Sequence, residues 1–360
     1  MQTKTLKLRV KDKHAKYLAD QARQVNMVWN HLVGVTNKAF RPFAGKTKFL
    51  SKFDYHKLTS GLSKEDGITL HSQTIQAIGE EIALRTKKTK AKRWQIPRFR
   101  KSGGSRKSLE WVPFKTSAIK YKNGQVWYQG IPLSLWDSYN LSKYQLGTGS
   151  FTCDAKGRWY FNTTIEVEEN QTPIGTGSIG IDLGCKDAIT CSDGTKLEGR
   201  WYRKQEEQLK IAQRANNKKR TRAIHAKIKN KRKDDLHKLS TALVKTNALV
   251  VVGDVSSSKL IKTHMAKSVN DAGWYMFKQM LEYKCRIAGN QFEVVSEKFT
   301  TQTCSECGSI SDSSPKGIAG LGIREWTCGD CGAVHDRDVN SAKNILAAGH
   351  CRLAVGIPVL

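Results

Sequence analysis

The sequence predicts an α+β protein that is built from several domains. Apolar residues recur at helical spacing up to about Lys92, and short alternating runs broken by turn sequences follow from Trp94 to about Glu169. Beyond a linker, strand-like and helix-like segments alternate along the rest of the chain. With 360 residues, of which 39% are hydrophobic, the chain is long enough to bury two or more ordinary cores.

The first half divides into a helical segment and a β-rich segment. "AKYLADQARQVNMVWNHLVGVTNKAF" and "LHSQTIQAIGEEIALRTKK" predict a helical module over residues 11–92. "QVWYQGIPLSLW" and "RWYFNTTIEVE", separated by turns such as "DAKGR", predict a β-barrel over residues 93–170. We assign the opening strand "KTLKLRV" to the same barrel, so residues 1–10 and 93–170 form one unit and the helical module is an insertion in it.

The second half predicts a mixed sheet with a small insertion. After "NQTPIGTG", the strands "SIGIDLG" and "DAITCSDGTKLEG" predict a hairpin, and a long basic helix pair without Pro or Gly follows. Then come the strand "ALVVVG", a helix around "GWYMFKQMLEYKCRIAG", the strand "QFEVVSEKF" and a last helix, "VNSAKNILAAG". We assign residues 177–300 and 335–360 to one domain, and residues 301–334, which hold paired cysteines, to an insertion.

The charge of the chain indicates a polyanionic partner. Its 61 lysine and arginine residues outnumber its 32 acidic residues and give a net charge of +29. Nucleic acid is the expected partner of such a field. The sequence has no apolar run near about 18 residues, and "MQTKTLKLRV" lacks the apolar stretch of a signal peptide. We therefore expect no membrane partner, and a cytoplasmic protein that is associated with the nucleoid when it is bound to DNA.

Two CxxC pairs are the most specific signal in the sequence. Cys304 and Cys307 lie in "CSEC", and Cys328 and Cys331 lie in "CGDC". Four thiolates at this spacing are typical of a zinc ribbon that holds one structural zinc ion. The alternative is a set of unligated buried thiols, which does not explain two pairs that are each followed by glycine. The other five cysteines lack this spacing and are interpreted as small core residues.

Three aspartates stand where carboxylates serve a metal or a helix. Asp182 interrupts the apolar strand "SIGIDLG", where an unpaired charge is costly unless a cation or hydrogen-bond donors compensate it. Asp336 and Asp338 lie in "HDRDVNSAKNIL" at the entry of the last helix, where the helix dipole favours negative charge. A strand-end hydrogen bond is the simpler explanation of Asp182, and N-capping explains one of the other two.

The order of these motifs resembles the TnpB family of transposon-encoded RNA-guided nucleases, which are related to type V CRISPR effectors and to the Fanzor branch. The resemblance rests on "GIDLG", the basic helix pair, "GDVSS", "GWYMFKQMLEYKC", "TTQTCSECG" and "HDRDVNSAKNIL", from Ser178 to about Gly349. It implies an RNase H-like (RuvC) nuclease domain with an inserted zinc ribbon that binds target nucleic acid. "QIPRFRKSGGSRKSLEWVPF" is similar to the family's wedge region, which makes residues 93–170 a wedge-like barrel and residues 11–92 a recognition module.

By this resemblance the protein is a magnesium-dependent RNA-guided DNA endonuclease. A guide RNA from the transposon end selects target DNA beside a short adjacent motif, and two Mg²⁺ ions, or Mn²⁺, support phosphodiester hydrolysis. Such a centre requires clustered carboxylates that hold two ions about 3.5 to 4 Å apart. Asp182 and Asp338 match two of the family's three acids.

The third acid of the family is missing from its usual place. The family has a glutamate at the end of the strand after the basic helices, and this chain has Gly253 before Asp254. A nuclease-inactive RNA-guided binder or repressor is one explanation. Asp254 is a second, although strand alternation turns it away from the face of residue 253. The third, which we favour, is Glu297 in "QFEVVSEKF". This arrangement resembles that of the Fanzor branch, in which the glutamate lies on the later strand, and an RNase H-like sheet brings the strands of Asp182, Gly253 and Glu297 close together.

Several polar residues are candidate nucleic-acid contacts. The long basic helix has few compensating acids, and a basic segment near the start of the barrel has aromatic neighbours for stacking on RNA. Two glutamines one turn apart on a predicted helix can read base edges. An ordinary solvated helix face, and polar residues that flank a core, are the simpler alternatives. The candidates are Lys218, Lys219, Arg220, Arg222, Arg98, Arg100, Gln73 and Gln76.

A conventional DNA transposase with an acidic triad is a third function that fits the same residues. It predicts strand transfer without RNA, whereas the nuclease and the inactive binder both predict a bound RNA. Digestion of the copurifying polymer with RNase or with DNase separates these predictions.

Overall fold

The computed structural model describes residues 1–40, 49–65, 67–88, 94–104, 107–255, 260, 262, 266–317 and 319–354. The chain forms two compact units, Met1–Val167 and Glu168–Leu360. The predicted boundary at residues 92 and 93, and residues 355–360 of the predicted nuclease domain, are not covered in full by the described residues. Among the described residues, no helix is both long and apolar enough to cross a membrane.

The first unit joins three helices to an antiparallel sheet. Helix α1 spans Ala15–Ala39, α2 spans Lys52–Leu58 and α3 spans Ser72–Arg85. The strands are β1 (Gln2–Val10), β2 (Lys87–Lys88), β3 (Trp94–Gln95), β4 (Trp111–Phe114), β5 (Ile119–Lys122), β6 (Gln125–Tyr128), β7 (Ile131–Trp136), β8 (Gly149–Cys153) and β9 (Trp159–Val167). Strands β2 and β3 form a separate pair, and the other seven form one sheet in the order β4-β8-β9-β1-β7-β6-β5. The opening strand β1 therefore lies inside the sheet, between β9 and β7.

One hydrophobic core joins the sheet and the helices of the first unit. Phe114 of β4 stacks on Phe161 of β9 with ring centroids 5.4 Å apart, and Phe151 of β8 packs against both. Trp29 of α1 belongs to the same core and meets Trp111 edge-on at 6.1 Å. The described strands pair in a linear order with β4 and β5 at its ends, so closure into a barrel stays a prediction.

The second unit is built on a five-stranded mixed sheet. Its strands are β10 (Gly177–Asp182), β11 (Asp187–Cys191), β12 (Lys196–Glu198), β13 (Asn247–Gly253) and β14 (Gln291–Val295). Their order is β12-β11-β10-β13-β14, in which β10, β13 and β14 are parallel and β11 is antiparallel to both of its neighbours. The helices are α4 (Glu206–Arg214), α5 (Lys218–Thr246), α6 (Ala266–Ala272), α7 (Trp274–Ala288) and α8 (Arg337–Ala354).

Strand β13 is apolar on both faces, as expected for a central parallel strand that is covered on both sides. Val250 belongs to the core that includes residues of α5 and α7, whereas Val251 packs on the opposite side with Ile345 of α8. Helix α8 comes very close to β10, because a Cβ atom at Gly180 would lie 2.1 Å from the carbonyl oxygen of Ala342. This close approach places the first turns of α8 beside β10.

The cysteine-rich insertion lies between β14 and α8 in the sequence. Strand β15 (Glu325–Thr327) pairs antiparallel with β16 (Val334–Asp336), and we call these two strands with the loop between them the ribbon hairpin. The second CxxC pair lies in the loop of the ribbon hairpin, and β16 leads directly into α8. The position of the ribbon hairpin therefore determines where α8 begins.

Candidate metal centres

The four predicted zinc ligands form a compact cluster. The Sγ atoms of Cys304, Cys307, Cys328 and Cys331 all lie within 4.8 Å of one another. The distances from Cys304 to Cys331 and from Cys307 to Cys328 are both 3.7 Å. A tetrahedral zinc ion with sulfur ligands at about 2.3 Å has sulfur–sulfur edges of about 3.8 Å. A disulfide needs about 2.05 Å, so the observed spacing fits one zinc ion.

The two CxxC pairs hold their thiols in the same way. The N–H of Gly308 donates to the carbonyl oxygen of Cys304, and the N–H of Gly332 donates to that of Cys328, each at 2.9 Å. Both glycines have positive φ, 79° and 77°, which glycine adopts without strain. Backbone hydrogen bonds lower the pKa of the Cys328 thiol to about 6, which favours the thiolate that binds zinc. The pKa of the Cys331 thiol is raised to about 12, because burial and its hydrogen bonds with the neighbouring thiols outweigh a backbone hydrogen bond. Zinc would therefore bind as the proton of Cys331 is released.

Asp182 lies at the carboxyl end of β10. Ser341 of α8 donates a hydrogen bond to its carboxylate at 2.9 Å. The pKa of Asp182 is raised to about 6, mainly by burial; the Ser341 hydrogen bond opposes this shift and the charge of Asp338 adds to it. A nearby cation stabilises such a carboxylate, which makes Asp182 a suitable metal ligand.

Glu297 lies over the position that lacks the family's glutamate. It follows β14, which pairs in parallel with β13 so that Val295 is opposite Gly253. A Cβ atom at residue 253 would be 2.7 Å from Oε2 of Glu297 and 3.4 Å from its Cβ. The side chain of Glu297 therefore fills the space in front of Gly253, and the glycine leaves that space open.

Charges of both signs shift the pKa of Glu297. Its pKa is raised to about 7, first by burial and then by the charges of Asp182 and Asp254, and Lys278 of α7 opposes the shift. The carboxylates of Asp182 and Glu297 thus belong to one electrostatic site. Asp254 is exposed, and its carboxylate accepts the backbone N–H of Glu297 at 3.3 Å. Asp254 therefore holds the backbone of Glu297.

Asp338, in the first turn of α8, is bound by arginines on both carboxylate oxygens. Arg324 donates to Oδ2 at 2.9 Å, and Arg337 donates to Oδ1 from Nε at 3.1 Å and from Nη2 at 3.0 Å. Asp336 has a different role, because its Oδ1 accepts the N–H groups of Asp338 and Val339, each at 3.0 Å, and caps the helix. Simple N-capping thus explains Asp336.

The three candidate acids are neighbours, but they form a looser group than the cysteines. Charge interactions link Asp182 with Glu297 and with Asp338. Within the described ranges, the four cysteines are the only set of three or more His, Cys, Asp or Glu whose ligand atoms all lie within 4.8 Å of one another. Asp182 is thus linked by charge to both of the other acids, and Asp338 is held by its two arginines.

The candidates on the basic helix lie in its first turns. The side chain of Asn217 accepts the N–H of Arg220 at 3.0 Å and caps the start of α5. The ion pairs that α5 makes in the described part of the chain involve residues from Lys231 onward. The earlier basic residues therefore keep their charge available for a polyanion. The exposed candidates are Lys218, Lys219, Arg220 and Arg222.

The candidates in the first unit differ in accessibility. Arg98 and Arg100 line one open cleft of about 990 Å³, and Arg98 is exposed. The guanidinium of Arg100 lies over Trp29 at 5.5 Å and donates a hydrogen bond to an asparagine of α1, so it has partners inside the unit. Gln76 accepts a hydrogen bond from a lysine at 3.3 Å, and Oε1 of Gln73 is buried without a partner among the described residues. Neither glutamine lines the cleft.

Sequence reasoning missed the residues that hold the acids and thiols in place. One signal was present: Ser341 follows Asp338 by three residues in "DVNSAK", which places both on one face of a helix. The basic residues carried no signal, because they are common throughout this chain. The missed residues are Arg324, Arg337 and Ser341 beside the aspartates, Lys278 beside Glu297, and His335, whose Nε2 lies 3.0 Å from Sγ of Cys304.

Two regions of the chain match protein-family models: residues 161–264 match "Probable transposase" and residues 274–345 match "Cas12f1-like, TNB domain". A curated protein of Streptomyces pristinaespiralis, named "Putative RNA-guided DNA endonuclease", is 33% identical over 364 residues, which cover 94% of this chain and 88% of the relative. "TnpB-like protein L79" of Acanthamoeba polyphaga mimivirus is 30% identical over 200 residues, which cover 48% of this chain and 37% of the relative. A solved structure, "Cryo-EM structure of the Cas12f1-sgRNA-target DNA complex", aligns with a TM-score of 0.37 and 17% identity over 96% of this chain and 99% of that chain.

The fold and the two candidate centres define a class first: a strongly basic α+β protein that carries, in one unit, a cluster of four cysteines that could hold a metal ion and a group of acids beside a mixed sheet. Similarity along nearly the whole chain then identifies the family within this class. The chain belongs to the TnpB family, and the resemblance that the motifs indicated is confirmed.

Proposed function

We propose that the protein is an RNA-guided DNA endonuclease of a transposon that cleaves target DNA next to a short adjacent motif. The observation that carries this proposal is the position of Glu297, whose side chain fills the space in front of Gly253. The acid that is missing from β13 is thereby supplied from the end of the neighbouring strand. The name of the Streptomyces relative agrees with this activity.

The five-stranded sheet supports the RNase H-like (RuvC) domain that the family resemblance implies. Strands β10, β13 and β14 are parallel neighbours, so their carboxyl ends lie at one edge of the sheet. Asp182 and Glu297 reach this edge from two of them, and Asp338 reaches it from the start of α8. We propose the same domain assignment as in the sequence analysis, with the zinc ribbon inserted into the nuclease domain.

Divalent cations, Mg²⁺ or Mn²⁺, are the cofactors that fit this edge. Asp182, Glu297 and Asp338 would hold two of them, because partly buried carboxylates that repel one another need compensating positive charge. Cations held there would supply an activated water molecule and positive charge for the phosphate. The four ribbon cysteines would hold one structural zinc ion, which takes no part in the reaction.

The chain's own residues orient the proposed ligands. Ser341 fixes one oxygen of Asp182, and Asp254 fixes the backbone of Glu297. Lys278, which is partly buried, faces Glu297 and donates a hydrogen bond to the carbonyl oxygen of Val255 at 3.3 Å. These contacts restrict the side chains before substrate binds, which limits the reorganisation that the reaction requires.

A guide RNA from the transposon end and target DNA are the proposed partners. The net charge of +29 and the exposed first turns of α5 support a polyanionic partner. Because each neutralised phosphate releases counterions, we expect the affinity for RNA to fall steeply as the salt concentration rises. A protein with these partners acts in the cytoplasm, at the nucleoid. If the chain purifies free of RNA and then binds RNA without salt dependence, the proposal that RNA is a partner is wrong.

Isosteric variants of the carboxylates test the nuclease directly. In a complex incubated with matched DNA and Mg²⁺, Asp182→Asn, Glu297→Gln and Asp338→Asn each lower the cleavage rate at least about a thousandfold and leave guided DNA binding intact. Asp254→Asn is the matched control, because Asp254 is exposed and its carboxylate accepts the backbone N–H of Glu297. We expect it to retain cleavage within about tenfold of the wild-type rate.

Three other outcomes assign the function differently. A wild-type complex that binds matched DNA but leaves it uncut in both Mg²⁺ and Mn²⁺ favours the inactive binder. If a Glu297→Gln complex cuts at the wild-type rate, the assignment of Glu297 as the third acid is wrong, and Asp254 becomes the candidate. Strand transfer that persists after RNase treatment favours the conventional transposase.

A further inference from the structure

We propose that Arg324 is a positioning residue that competes with a divalent cation for Asp338, so that the ribbon hairpin controls when this acid is free to bind metal. The proposal rests on the proposed function in one respect, namely that Asp338 is a metal ligand. Arg324 contacts no other proposed ligand in the described part of the chain, so its effect reaches the carboxylate centre through Asp338.

Arg324 stands at the base of the ribbon hairpin, directly before β15. Its carbonyl oxygen accepts the N–H of Arg337 at 2.7 Å, which joins the two ends of the hairpin. Its Nη1 donates to Oδ2 of Asp338 at 2.9 Å. The side chain of Arg324 is 45% exposed and that of Asp338 is 13% exposed. The guanidinium therefore reaches from the surface onto a carboxylate that is largely buried.

The two arginines on Asp338 differ in how firmly they are held. Arg337 is 13% exposed and also donates to the carbonyl oxygen of Gly320 at 3.2 Å. Arg324 is more exposed and has Asp338 as its side-chain partner among the described residues. A half-exposed ion pair of this kind is weak, so Arg324 is the arginine that can leave.

A cation at Asp338 needs the oxygen that Arg324 occupies and is repelled by the guanidinium beside it. Departure of Arg324 frees Oδ2 and removes one of the two positive charges beside it, while Arg337 stays on Oδ1. A phosphate group of bound nucleic acid is a suitable new partner, because guanidinium groups bind phosphate through paired hydrogen bonds. Substrate binding and metal binding would then favour each other through one side chain.

The cysteine centre determines where Arg324 stands. Strands β15 and β16 have three residues each, and their register places Glu325 opposite Asp336. Cys328 and Cys331 lie in the loop at the other end of this short hairpin. A pairing this short needs further support, and a zinc ion held by the four cysteines would keep Arg324 within reach of Asp338.

Iron-directed cleavage of the polypeptide tests the proposal independently of nuclease activity. Fe²⁺ that occupies a carboxylate site cuts the backbone beside it when ascorbate and hydrogen peroxide are added. The full-length chain with its copurified RNA is titrated with Fe²⁺, and protein fragments that end near residues 182 and 338 are quantified. In Arg324→Ala and in Arg324→Gln, half-maximal cleavage requires roughly threefold to tenfold less Fe²⁺ than in the wild type.

Two variants control for charge and for folding. Arg324→Lys keeps a cation at this place and stays within about twofold of the wild-type value. Lys196→Ala removes a positive charge that pairs with Asp336, beside the same helix start, and also stays within about twofold. Thermal denaturation of each variant establishes that the fragments come from folded protein.

Each other outcome overturns a defined part of the argument. An unchanged or higher Fe²⁺ requirement in folded Arg324→Ala overturns the competition, and so does an equal decrease in Lys196→Ala. Asp338→Asn separates this failure from that of the proposed function. If both fragments form in Asp338→Asn with the same half-maximal Fe²⁺ concentration as in the wild type, Asp338 is not a ligand. The proposed carboxylate centre is then wrong as well.

Discussion

The cysteine centre and the carboxylate centre lie in one unit but are built in opposite ways. Four thiols come from two short turns, and their sulfur atoms already have the spacing of a zinc tetrahedron. Three acids come from two strand ends and one helix start, and they have Ser341 and two arginines as partners. The difference teaches that four ligands from two short motifs can be positioned locally, whereas acids from separate strands and a helix come together only through tertiary packing.

Loss of one thiol ligand is expected to affect both centres at once. Cys328→Ser lowers the zinc content well below one ion per chain and destabilises the ribbon hairpin, because binding of structural zinc is coupled to folding. The start of α8 then shifts and carries Asp338 with it, and we expect cleavage to fall about a hundredfold. Metal analysis, thermal denaturation and cleavage assays measure these changes.

Cys351→Ser is the control for this variant. Cys351 is exposed and lies outside the cluster, so its loss leaves zinc content and stability unchanged. Full zinc content in Cys328→Ser would mean that the four thiols do not form the site.

A methyl group at residue 253 has an intermediate effect, confined to the carboxylate centre. In Gly253→Ala the new Cβ meets Oε2 of Glu297 at 2.7 Å, and the carboxylate must move because it is the flexible partner. We expect cleavage to fall about tenfold with zinc content unchanged. Gly34→Ala is the control, because a Cβ there has no neighbour within 4 Å. Wild-type cleavage by Gly253→Ala would show that the position of Glu297 is not critical.

The two centres also differ in how far the sequence predicted them. All four cysteines could be named from "CSEC" and "CGDC", because the ligands of a zinc ribbon lie within short motifs. Glu297 could be proposed only from the family resemblance and the order of strands that it implies. Its placement over Gly253 depends on the register of β13 and β14, which no local pattern specifies. Arg324 gave no signal, because one arginine cannot be distinguished in a chain with a net charge of +29.

The fold shows the same limit. The alternating pattern of "KTLKLRV" was enough to assign β1 to the sheet, and the structure places it between β9 and β7. The pattern could not show that Arg100 turns its guanidinium toward Trp29, because a basic residue beside aromatic residues fits RNA binding equally well. The contact of Arg100 with Trp29 depends on packing, which is not encoded in spacing.

The smallest predicted effect is a gain in stability when a carboxylate is neutralised. The pKa of Glu297 is raised from its ordinary value of 4.5 to about 7. The folded state therefore binds the proton more tightly than the unfolded state, and its stability falls as the pH rises between these two values. In buffer without divalent cations, Glu297→Gln removes this loss. We expect a gain on the order of 1 kcal/mol in the free energy of unfolding at pH 8, and none near pH 4.

Denaturation of Glu297→Gln and wild type across this pH range sharpens the comparison. Loss of a carboxylate is expected to stabilise the protein, whereas loss of a thiol ligand is expected to destabilise it. Chelators must be avoided, since they would remove zinc from the ribbon. Glu207→Gln, at an exposed site on α4, is the control and leaves the pH dependence unchanged. Added Mg²⁺ should stabilise the wild type more than Glu297→Gln. The cation compensates the negative charge of the Glu297 carboxylate, and the neutral glutamine has no such charge. If Glu297→Gln is less stable than the wild type at pH 8 without Mg²⁺, Glu297 is held by favourable contacts like those of the thiols, and the contrast between the two centres disappears.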